Sequence, residues 1–256
     1  MPGRLEGKVV IVTGAGSGIG EAIAHKFAAE GARVVVNGLP TDPILEVTKA
    51  ITDKGGKAVV YAGDVGEDER AKACVGLAIE NYGKLDVLVS NAGSPLFNAP
   101  IHKYDLNQFD KLVTRNIRSI FLMTRYAIPH LQKTGGNIVA TGSEVGTLGM
   151  AGNTPYGGAK GFVHAFIKGV AVEQAKHGIR ANCVCPGPIN RECKNEEAAQ
   201  SPLSQTPMGR RGTAEEIANV FTFLASDMAS YVTGALWVVD GGTTIGKGPT
   251  TSDLEA

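Results

Sequence analysis

The feature that most constrains the fold is the regular alternation of short apolar runs with longer segments of helical periodicity. An apolar run such as 33–37 (RVVVN) shows no polar face, and strands buried on both faces are typical of parallel sheets covered by helices. The pattern predicts an α/β fold class, a single doubly wound Rossmann domain with a parallel sheet of about seven strands and helices on both faces. Strands are predicted at 8–13, 33–37, 57–62, 86–91, 137–141, 180–185 and 235–239, and helices at 17–30, 44–54, 67–82, 106–132, 156–177 and 213–226.

The alternation continues from residue 8 to about residue 240 without a linker, a repeat or a low-complexity stretch. It predicts one domain over residues 1–245, followed by a flexible polar tail at 246–256. Two connections, 94–103 and 186–212, are longer than ordinary loops, and a loop of the second length is uncommon unless it is functional. We therefore expect the 186–212 loop to contribute to a binding site.

Composition excludes several classes of protein. The 256 residues carry 25 basic and 25 acidic side chains, so the formal net charge is zero, and 43% of the residues are hydrophobic. A disordered chain has low hydrophobicity and high net charge, and a nucleic-acid-binding protein usually has a basic excess. No apolar segment is long enough for the core of a signal peptide or for a membrane span. We expect a cytoplasmic protein with neither nucleic acid nor membrane as its partner.

The cysteines and histidines show no metal-ligand spacing. Cys74, Cys183, Cys185 and Cys193 form no C-x-x-C pair, and the five histidines add no ligand pattern. Cys183 and Cys185 alternate along one predicted strand and therefore point to the same face. We expect buried, reduced thiols and no metal site.

A glycine loop joins the first predicted strand to the first helix. Its pattern is T-G-x-x-x-G-x-G, from Thr13 to Gly20, with four glycines in the seven residues 14–20. Glycines let the backbone approach a pyrophosphate, and the helix N-terminus offers free N–H groups there. A merely tight turn would need fewer glycines. The predicted pyrophosphate contacts are Gly14, Ser17, Gly18, Ile19 and Gly20.

The other strand ends predict the rest of a nucleotide site. The acidic residue that usually reads the ribose hydroxyls is missing after the second strand, where Asn37, Gly38 and Leu39 stand without a neighbouring cation. NAD and NADP both stay open, with a slight lean to NAD. Further contacts are predicted for residues that follow the third and fourth strands, although each group is also consistent with a turn or a cap. They are Asp64, Val65, Asn91, Ala92 and Gly93.

Three residues predict acid–base chemistry at the same sheet edge. Tyr156 and Lys160 are four residues apart at a helix start and share one face, and Ser143 follows the fifth strand. A free tyrosine ionises only near pH ~10, and a neighbouring ammonium favours its phenolate. Tyr156 can then move a proton to or from a carbinol oxygen while Ser143 hydrogen-bonds that oxygen. No side chain can accept the hydride, so a cofactor must.

These motifs, with Pro186-Gly187, resemble the compact single-domain branch of the short-chain dehydrogenase/reductase family in order and spacing. The resemblance covers residues 5 to about 242, and the ordered set is far more specific than any one motif. It implies a dinucleotide-binding and catalytic domain that interconverts a secondary alcohol and a ketone, or a primary alcohol and an aldehyde. It also implies NAD or NADP as cofactor and a homotetramer.

The resemblance assigns further residues. It implies that Asn116 is a fourth catalytic residue that binds a water linked to Lys160, whereas the residues alone favour a surface position for Asn116. It also implies that Tyr156 and Lys160 touch the cofactor, and that Pro186, Gly187 and Ile189 hold the nicotinamide. Members of the family often have a threonine two residues after that isoleucine. This chain departs with Arg191, which leaves the carboxamide contact open.

The sequence signals for the substrate-binding residues are less specific than those for the nucleotide-binding residues. A small carbonyl or alcohol substrate would lie above Ser143 and Tyr156, and we expect contacts from Ser94, Leu96, Glu144 and Met150. Trp237 lies in a segment that resembles a subunit contact, and a position in the core is equally consistent with its sequence. Two other functions stay open, a dinucleotide-binding protein without redox activity and a lyase or isomerase on the same fold.

Overall fold

The structure, a computed structural model, describes residues 3–190 and 206–246. Nine strands occur in these ranges. They are β1 (Val9–Val12), β2 (Arg33–Gly38), β3 (Lys57–Ala62), β4 (Val87–Ser90), β5 (Asn137–Thr141), β6 (Arg180–Pro186), β7 (Ile189–Asn190), β8 (Gly212–Thr213) and β9 (Leu236–Val239). Seven helices accompany them. They are α1 (Gly18–Ala29), α2 (Ile44–Asp53), α3 (Asp68–Tyr82), α4 (Leu106–Val113), α5 (Ser119–Leu131), α6 (Thr154–Gln174) and α7 (Ala214–Ala225).

Seven of the strands form one parallel sheet in the order β3-β2-β1-β4-β5-β6-β9. The chain builds outwards from β1 to β3, then returns to the other side of β1 and continues with β4. This reversal of direction between β1 and β4 leaves a crevice at the carboxyl ends of the strands, where doubly wound sheets bind their ligands. The predicted fold class is therefore confirmed.

The two faces of the sheet are covered by different helices because alternate strand residues point in opposite directions. Val9 and Ile11 belong to a core under α3, α5 and α6, which includes Met123 and Ile167. Val10 and Val12 belong to a second core under α1, α2 and α7. The near-continuous apolar strands follow from this burial on both sides.

The structure adds two features to the predicted elements. The helical stretch at 106–132 is interrupted by a π-helical turn at Thr114–Arg118 that separates α4 from α5. The short strands β7 and β8 pair in parallel beside the main sheet and bring Gly212 back to Ile189. Residues 191–205 of the long loop, with Arg191 and Cys193, lie outside the described residues, as do residues 247–256 of the predicted tail.

Three details complete the description of the fold: the capping of α7, the packing of Trp237 and the hydrophobicity of the helices. The start of α7 carries a capping box, in which Thr213 accepts from the Glu216 N–H while the Glu216 carboxylate accepts from the Thr213 N–H. Trp237 is half-buried and packs within its own chain against Phe223, with ring centroids 5.4 Å apart. Across the described ranges, none of the helices is long and apolar enough to cross a bilayer.

Candidate active site

A cavity of about 510 Å³ lies at the carboxyl ends of the strands. Residues from six strand ends and from the starts of two helices converge on it, as the strand order requires. Every predicted nucleotide contact lines this cavity, and so do Ser94 and Ser143. The lining that was predicted comprises Gly14, Ser17, Gly18, Ile19, Gly20, Asn37, Asp64, Val65, Asn91, Ala92, Gly93, Ser94, Ser143, Tyr156, Lys160, Pro186, Gly187 and Ile189.

The glycine loop follows β1 and leaves room at the start of α1. Gly14 has φ +62°, a left-handed conformation that favours glycine. A side chain there would also press on the backbone of Ala92, 2.9 Å from where its Cβ would stand. The backbone of the loop therefore faces the cavity directly, beside the N-terminus of α1, which is the geometry that holds a pyrophosphate.

A chain of hydrogen bonds links this loop to the central strands. The Thr13 hydroxyl accepts from the Asn91 and Ala92 N–H groups at 2.9 and 3.0 Å. The Asn91 amide donates to the Thr13 carbonyl at 3.0 Å and accepts from the Thr141 hydroxyl at 2.9 Å. Lys160 then donates to the Thr141 carbonyl at 2.8 Å. One polar network therefore runs from the glycine loop across β4 and β5 to the lysine.

Lys160 and Tyr156 lie on one face of the first turns of α6, as their spacing predicts. Lys160 is almost completely buried, and its Nζ lies 5.5 Å from the centre of the Tyr156 ring. Ser143 ends the extended segment after β5, and its hydroxyl accepts a long hydrogen bond of 3.4 Å from the Val145 N–H. All three residues line the same cavity as the glycine loop.

Asn116 lies in the π-helical turn and is only 2% exposed, so the surface position favoured by its residue type alone is wrong. Its Nδ2 donates to the carbonyls of Leu112 and Ser94 at 3.1 and 3.2 Å. Its Oδ1 is buried and has no hydrogen-bond partner among residues 3–190 and 206–246. Single π turns are frequent at functional sites, and this orphan oxygen can accept from a water.

The end of the cavity beside β2 contains a carboxylate that the sequence prediction missed. Asp42 lies four residues after Gly38, and its Oδ2 accepts from the Leu39 N–H at 2.8 Å. This turn folds Asp42 back over Gly16 and Gly38 into the cavity lining. The Asn37 side chain instead donates to the carbonyls of Tyr61 and Gly63 at 3.2 and 3.0 Å and ties β2 to the end of β3.

Three further lining residues were not predicted. Arg115 precedes Asn116 on the π turn, Ser119 is the first residue of α5, and Arg211 precedes β8. The adjacent Arg210 makes two hydrogen bonds to Glu216, at 2.7 and 3.0 Å, and these hold the pKa of the Glu216 carboxyl down at about 2. Arg210 is thus held on α7 while Arg211 faces the cavity. The sequence signal that could have indicated Arg211 is the pair of adjacent arginines near the end of the 186–212 loop.

Of the predicted substrate contacts, only Ser94 lines the cavity. Leu96 is half-buried and Met150 is exposed on the segments beyond it. Glu144 is buried, and its Oε2 has no hydrogen-bond partner among the described residues. Burial, followed by the charge of Asp240, raises the pKa of Glu144 to about 7. Glu144 therefore lies behind Ser143 instead of in the cavity wall.

A doubly wound sheet with a glycine loop at its reversal point and a serine, tyrosine and lysine beside it is the arrangement of a dinucleotide-dependent oxidoreductase. Residues 14–244 match a family model described as Enoyl-(Acyl carrier protein) reductase. The chain belongs to the short-chain dehydrogenase/reductase family, and it is an oxidoreductase of that family.

Curated relatives cover nearly the whole chain. The 3-oxoacyl-(acyl-carrier-protein) reductase FabG of Thermotoga maritima is 38% identical, over 94% of this chain and 100% of its own length. L-rhamnose 1-dehydrogenase (NAD(P)(+)) of a Sphingomonas species is 38% identical, over 93% and 96%. Glucose 1-dehydrogenase 2 of Bacillus subtilis is 37% identical, over 94% and 96%. Each is a protein to which this chain is similar.

Proposed function

We propose that this protein is an NAD(P)-dependent alcohol dehydrogenase or carbonyl reductase that interconverts a secondary alcohol and a ketone, or a primary alcohol and an aldehyde. The observation that carries the proposal is the position of Ser143, Tyr156 and Lys160 on the same cavity as the glycine loop. A group bound on the loop would extend along the strand ends towards these three side chains. Residues 1–245 then form one domain that both binds the dinucleotide and holds the reacting substrate.

The residues present fit a nicotinamide dinucleotide. The cavity is large enough for an elongated ligand, its loop backbone is bare of side chains at Gly14, and α1 points its N-terminus at the same place. When bound, the cofactor supplies the hydride acceptor or donor that no side chain can provide. Pro186, Gly187 and Ile189 would hold its nicotinamide end, and Asp64 and Val65 its adenine end.

The side chains then perform the proton chemistry. Tyr156 transfers a proton to or from the substrate oxygen, and Ser143 hydrogen-bonds that oxygen. The Lys160 ammonium is fixed at the Thr141 carbonyl, and its positive charge lies 5.5 Å from the centre of the Tyr156 ring, beside the group that transfers the proton. The orphan Oδ1 of Asn116 accepts from a water through which Lys160 exchanges protons with solvent.

We further propose that NAD is the preferred cofactor. Asp42 lies over Gly16 and Gly38, where an adenosine ribose would approach the loop. A carboxylate can accept hydrogen bonds from ribose hydroxyls, and it repels a 2′-phosphate. The position of Asp42 therefore supports the predicted preference for NAD. Asp42 stands further along the chain than the acidic residue that usually binds the ribose.

Exposed apolar side chains in two regions of the chain support a homotetramer. Phe109 and Phe121 are exposed on α4 and α5, while Tyr231 and Val238 are exposed beside and on β9. Two separate self-complementary faces would give a tetramer with two kinds of two-fold contact. Light scattering on the purified protein tests this, with four chains as the expected mass. A cytoplasmic location is consistent with the free thiols Cys74, Cys183 and Cys185.

The test of the proposed function is turnover on a panel of alcohols and carbonyls with NAD and NADP, followed at the nicotinamide absorbance. The panel includes rhamnose, glucose and a 3-oxoacyl thioester, because the relatives are named for these. Tyr156→Phe should lower kcat by at least about 10³-fold while nucleotide binding persists. Tyr82→Phe, on α3 away from the cavity, is the matched control and should keep full turnover.

Retained turnover in Tyr156→Phe would contradict the assigned mechanism. Product formation from the panel without net oxidation or reduction of the cofactor would instead identify a lyase or isomerase. Nucleotide binding without any turnover would identify a binding protein.

A further inference from the structure

Three metal-ligating side chains meet in the protein interior, one layer beneath the catalytic serine. His164 comes from the middle of α6, and Cys183 and Cys185 come from alternate positions of β6. The Cys185 Sγ lies 3.2 Å from the His164 Nε2 and 3.9 Å from the Cys183 Sγ. All three ligand atoms lie within 4.8 Å of one another, and all three residues are buried.

The triangle formed by these atoms has the size of a metal site. With edges of 3.2, 3.9 and at most 4.8 Å, the point equidistant from the three atoms lies no more than about 2.4 Å from each, close to the ~2.3 Å of a Zn–S bond and the ~2.1 Å of a Zn–N bond. Small rotations of the side chains would therefore complete the coordination distances.

Gly142 keeps the centre of this triangle clear. A Cβ on Gly142 would lie 2.7 Å from the Cys183 Sγ, 2.7 Å from the His164 Nε2 and 3.0 Å from the Cys185 Sγ. A side chain at this position would thus collide with all three ligand atoms at once. Because glycine stands there, no side chain from residue 142 lies between the three ligand atoms.

The electrostatics of the cluster suit a cation. Two thiolates and one neutral imidazole would balance the charge of Zn²⁺ and would leave one negative charge with Cu(I). A neutral complex is the form in which charges are tolerated in an apolar interior, so the charge balance favours Zn²⁺. The proposed proton and hydride transfers use none of these three side chains.

We propose that His164, Cys183 and Cys185 form a binding site for one thiophilic metal ion, Zn²⁺ or Cu(I), between β6 and α6 beneath Gly142. The ligand set is one imidazole nitrogen and two thiolate sulfurs, a donor combination that selects these ions over Mg²⁺ or Ca²⁺. Binding releases the thiol protons and changes no oxidation state. Three protein ligands leave a fourth position open on Zn²⁺, whereas Cu(I) accepts three. The sequence expectation of no metal site rested on spacing along the chain, and this cluster joins two elements.

The experiment uses the full-length protein, reduced and stripped of metal with a chelator under anaerobic conditions. Zn²⁺ and, in a separate arm, Cu(I) are titrated against a competing chromophoric chelator, and bound metal is counted per chain. We expect one ion per chain, and Cys183→Ser and Cys185→Ser should each weaken its binding by at least about 100-fold. The arm with the tighter binding identifies the ion.

Cys74→Ser is the matched control, because Cys74 is also a free, buried cysteine but lies on α3. It should keep one ion per chain. Co²⁺ provides a second readout, since wild-type protein and Cys74→Ser should show thiolate-to-cobalt charge-transfer absorption that Cys183→Ser lacks. His164→Gln supplies a variant that leaves both thiols in place, and circular dichroism checks that each variant is folded.

Three results would overturn the proposal. The first is wild-type protein that binds no more metal than folded Cys183→Ser. The second is an equal loss in Cys74→Ser. The third is a Cys183–Cys185 disulfide in the isolated protein, seen as a mass lower by two hydrogens, together with no metal uptake after its reduction.

Discussion

Two regions beside the cavity are built differently. The first is the glycine-loop half of the cavity, which comprises residues 13–20, 37–42 and 91–93. The second comprises the outer segments, 95–104 and 147–153, which leave the cavity after Ser94 and Ser143. In the glycine-loop half, buried polar groups bind one another, as Thr13 does with Asn91. The outer segments meet through a hydrogen bond from the Ala99 N–H to the Gly152 carbonyl, and they expose apolar side chains such as Phe97 and Met150. Side chains in the first region therefore support the fold, and those in the second are free to meet a substrate.

This contrast has a physical origin. A backbone that must lie against a ligand needs glycine and fixed hydrogen bonds, because a side chain would fill the space and an unpaired buried group would cost free energy. A wall that only has to cover an apolar ligand can be made by many side chains. We expect substitutions to lower stability in the glycine-loop half and to alter only substrate affinity in the outer segments.

The largest expected effect on stability is that of Thr13→Val. Valine keeps the shape but leaves the Asn91 and Ala92 N–H groups without their acceptor in a buried place. Unsatisfied buried donors cost about 1–3 kcal/mol each, so the free energy of unfolding should fall by about 2–4 kcal/mol. Denaturant titration at fixed protein concentration measures this loss.

Thr147→Val, on an exposed position of the outer segments, is the control and should change stability by less than about 0.5 kcal/mol. Equal losses in the two variants would remove the contrast between the regions.

The second effect concerns Glu144, at the boundary between the regions. Burial and Asp240 raise its pKa in the folded protein to about 7, whereas in the unfolded chain it ionises near pH ~4.3. Because the raised pKa belongs to the folded state, its contribution to stability is complete below pH ~4.3 and is lost as the pH rises towards 7. Glu144→Gln lacks this loss, so relative to wild type it should gain about 2–3 kcal/mol between pH 5 and pH 8.

Denaturation curves of both proteins at the two pH values measure this gain. Glu80→Gln, an exposed substitution on α3, should follow wild type at both. Parallel behaviour of Glu144→Gln and wild type from pH 5 to pH 8 would show that Glu144 is not held protonated.

The glycine-loop half contains a second contrast, since Asp42 lines the cavity whereas the Thr13 side chain binds backbone groups of the protein. Asp42→Asn keeps the acceptor for the Leu39 N–H but removes the negative charge beside the ribose. The preference for NAD over NADP in kcat/KM should fall roughly tenfold, about 1.4 kcal/mol, with little change in stability. Asp53→Asn, exposed at the end of α2, is the control. A preference unchanged within a factor of about two would assign selection to other residues.

Sequence predicted most of the fold and the glycine-loop half because both rest on local patterns. Strand burial on both faces gives unbroken apolar runs, and the loop requires glycines at fixed positions beside β1. Asp42 and Arg211 were missed because their positions depend on the path of the chain beyond the local patterns. Asp42 reaches the cavity through a turn closed at the Leu39 N–H, and Arg211 returns to it with β8.

The same reason explains the error about the burial of Asn116 and leaves Leu96 and Met150 as predicted substrate contacts. The apolar and polar periodicity around Asn116 does not reveal that a π turn rotates its side chain inwards. Leu96 and Met150 were chosen as apolar residues near Ser143 in sequence, but no local rule fixes the direction of side chains on irregular segments.

The smallest effect is expected from Phe97→Ala in the outer segments. Phe97 is 40% exposed and packs edge-on against Tyr104, with ring centroids 5.4 Å apart, so its removal should cost no more than about 1 kcal/mol of stability. If it covers the bound substrate, KM for the carbonyl substrate should rise a few-fold while kcat and KM for the nucleotide stay the same, because the lost contact is equal in ground and transition states. Leu45→Ala, exposed on α2, should leave all three constants unchanged. A fall in nucleotide affinity in Phe97→Ala would mean that the outer segments also support the glycine-loop half, and the two regions would then be a single unit.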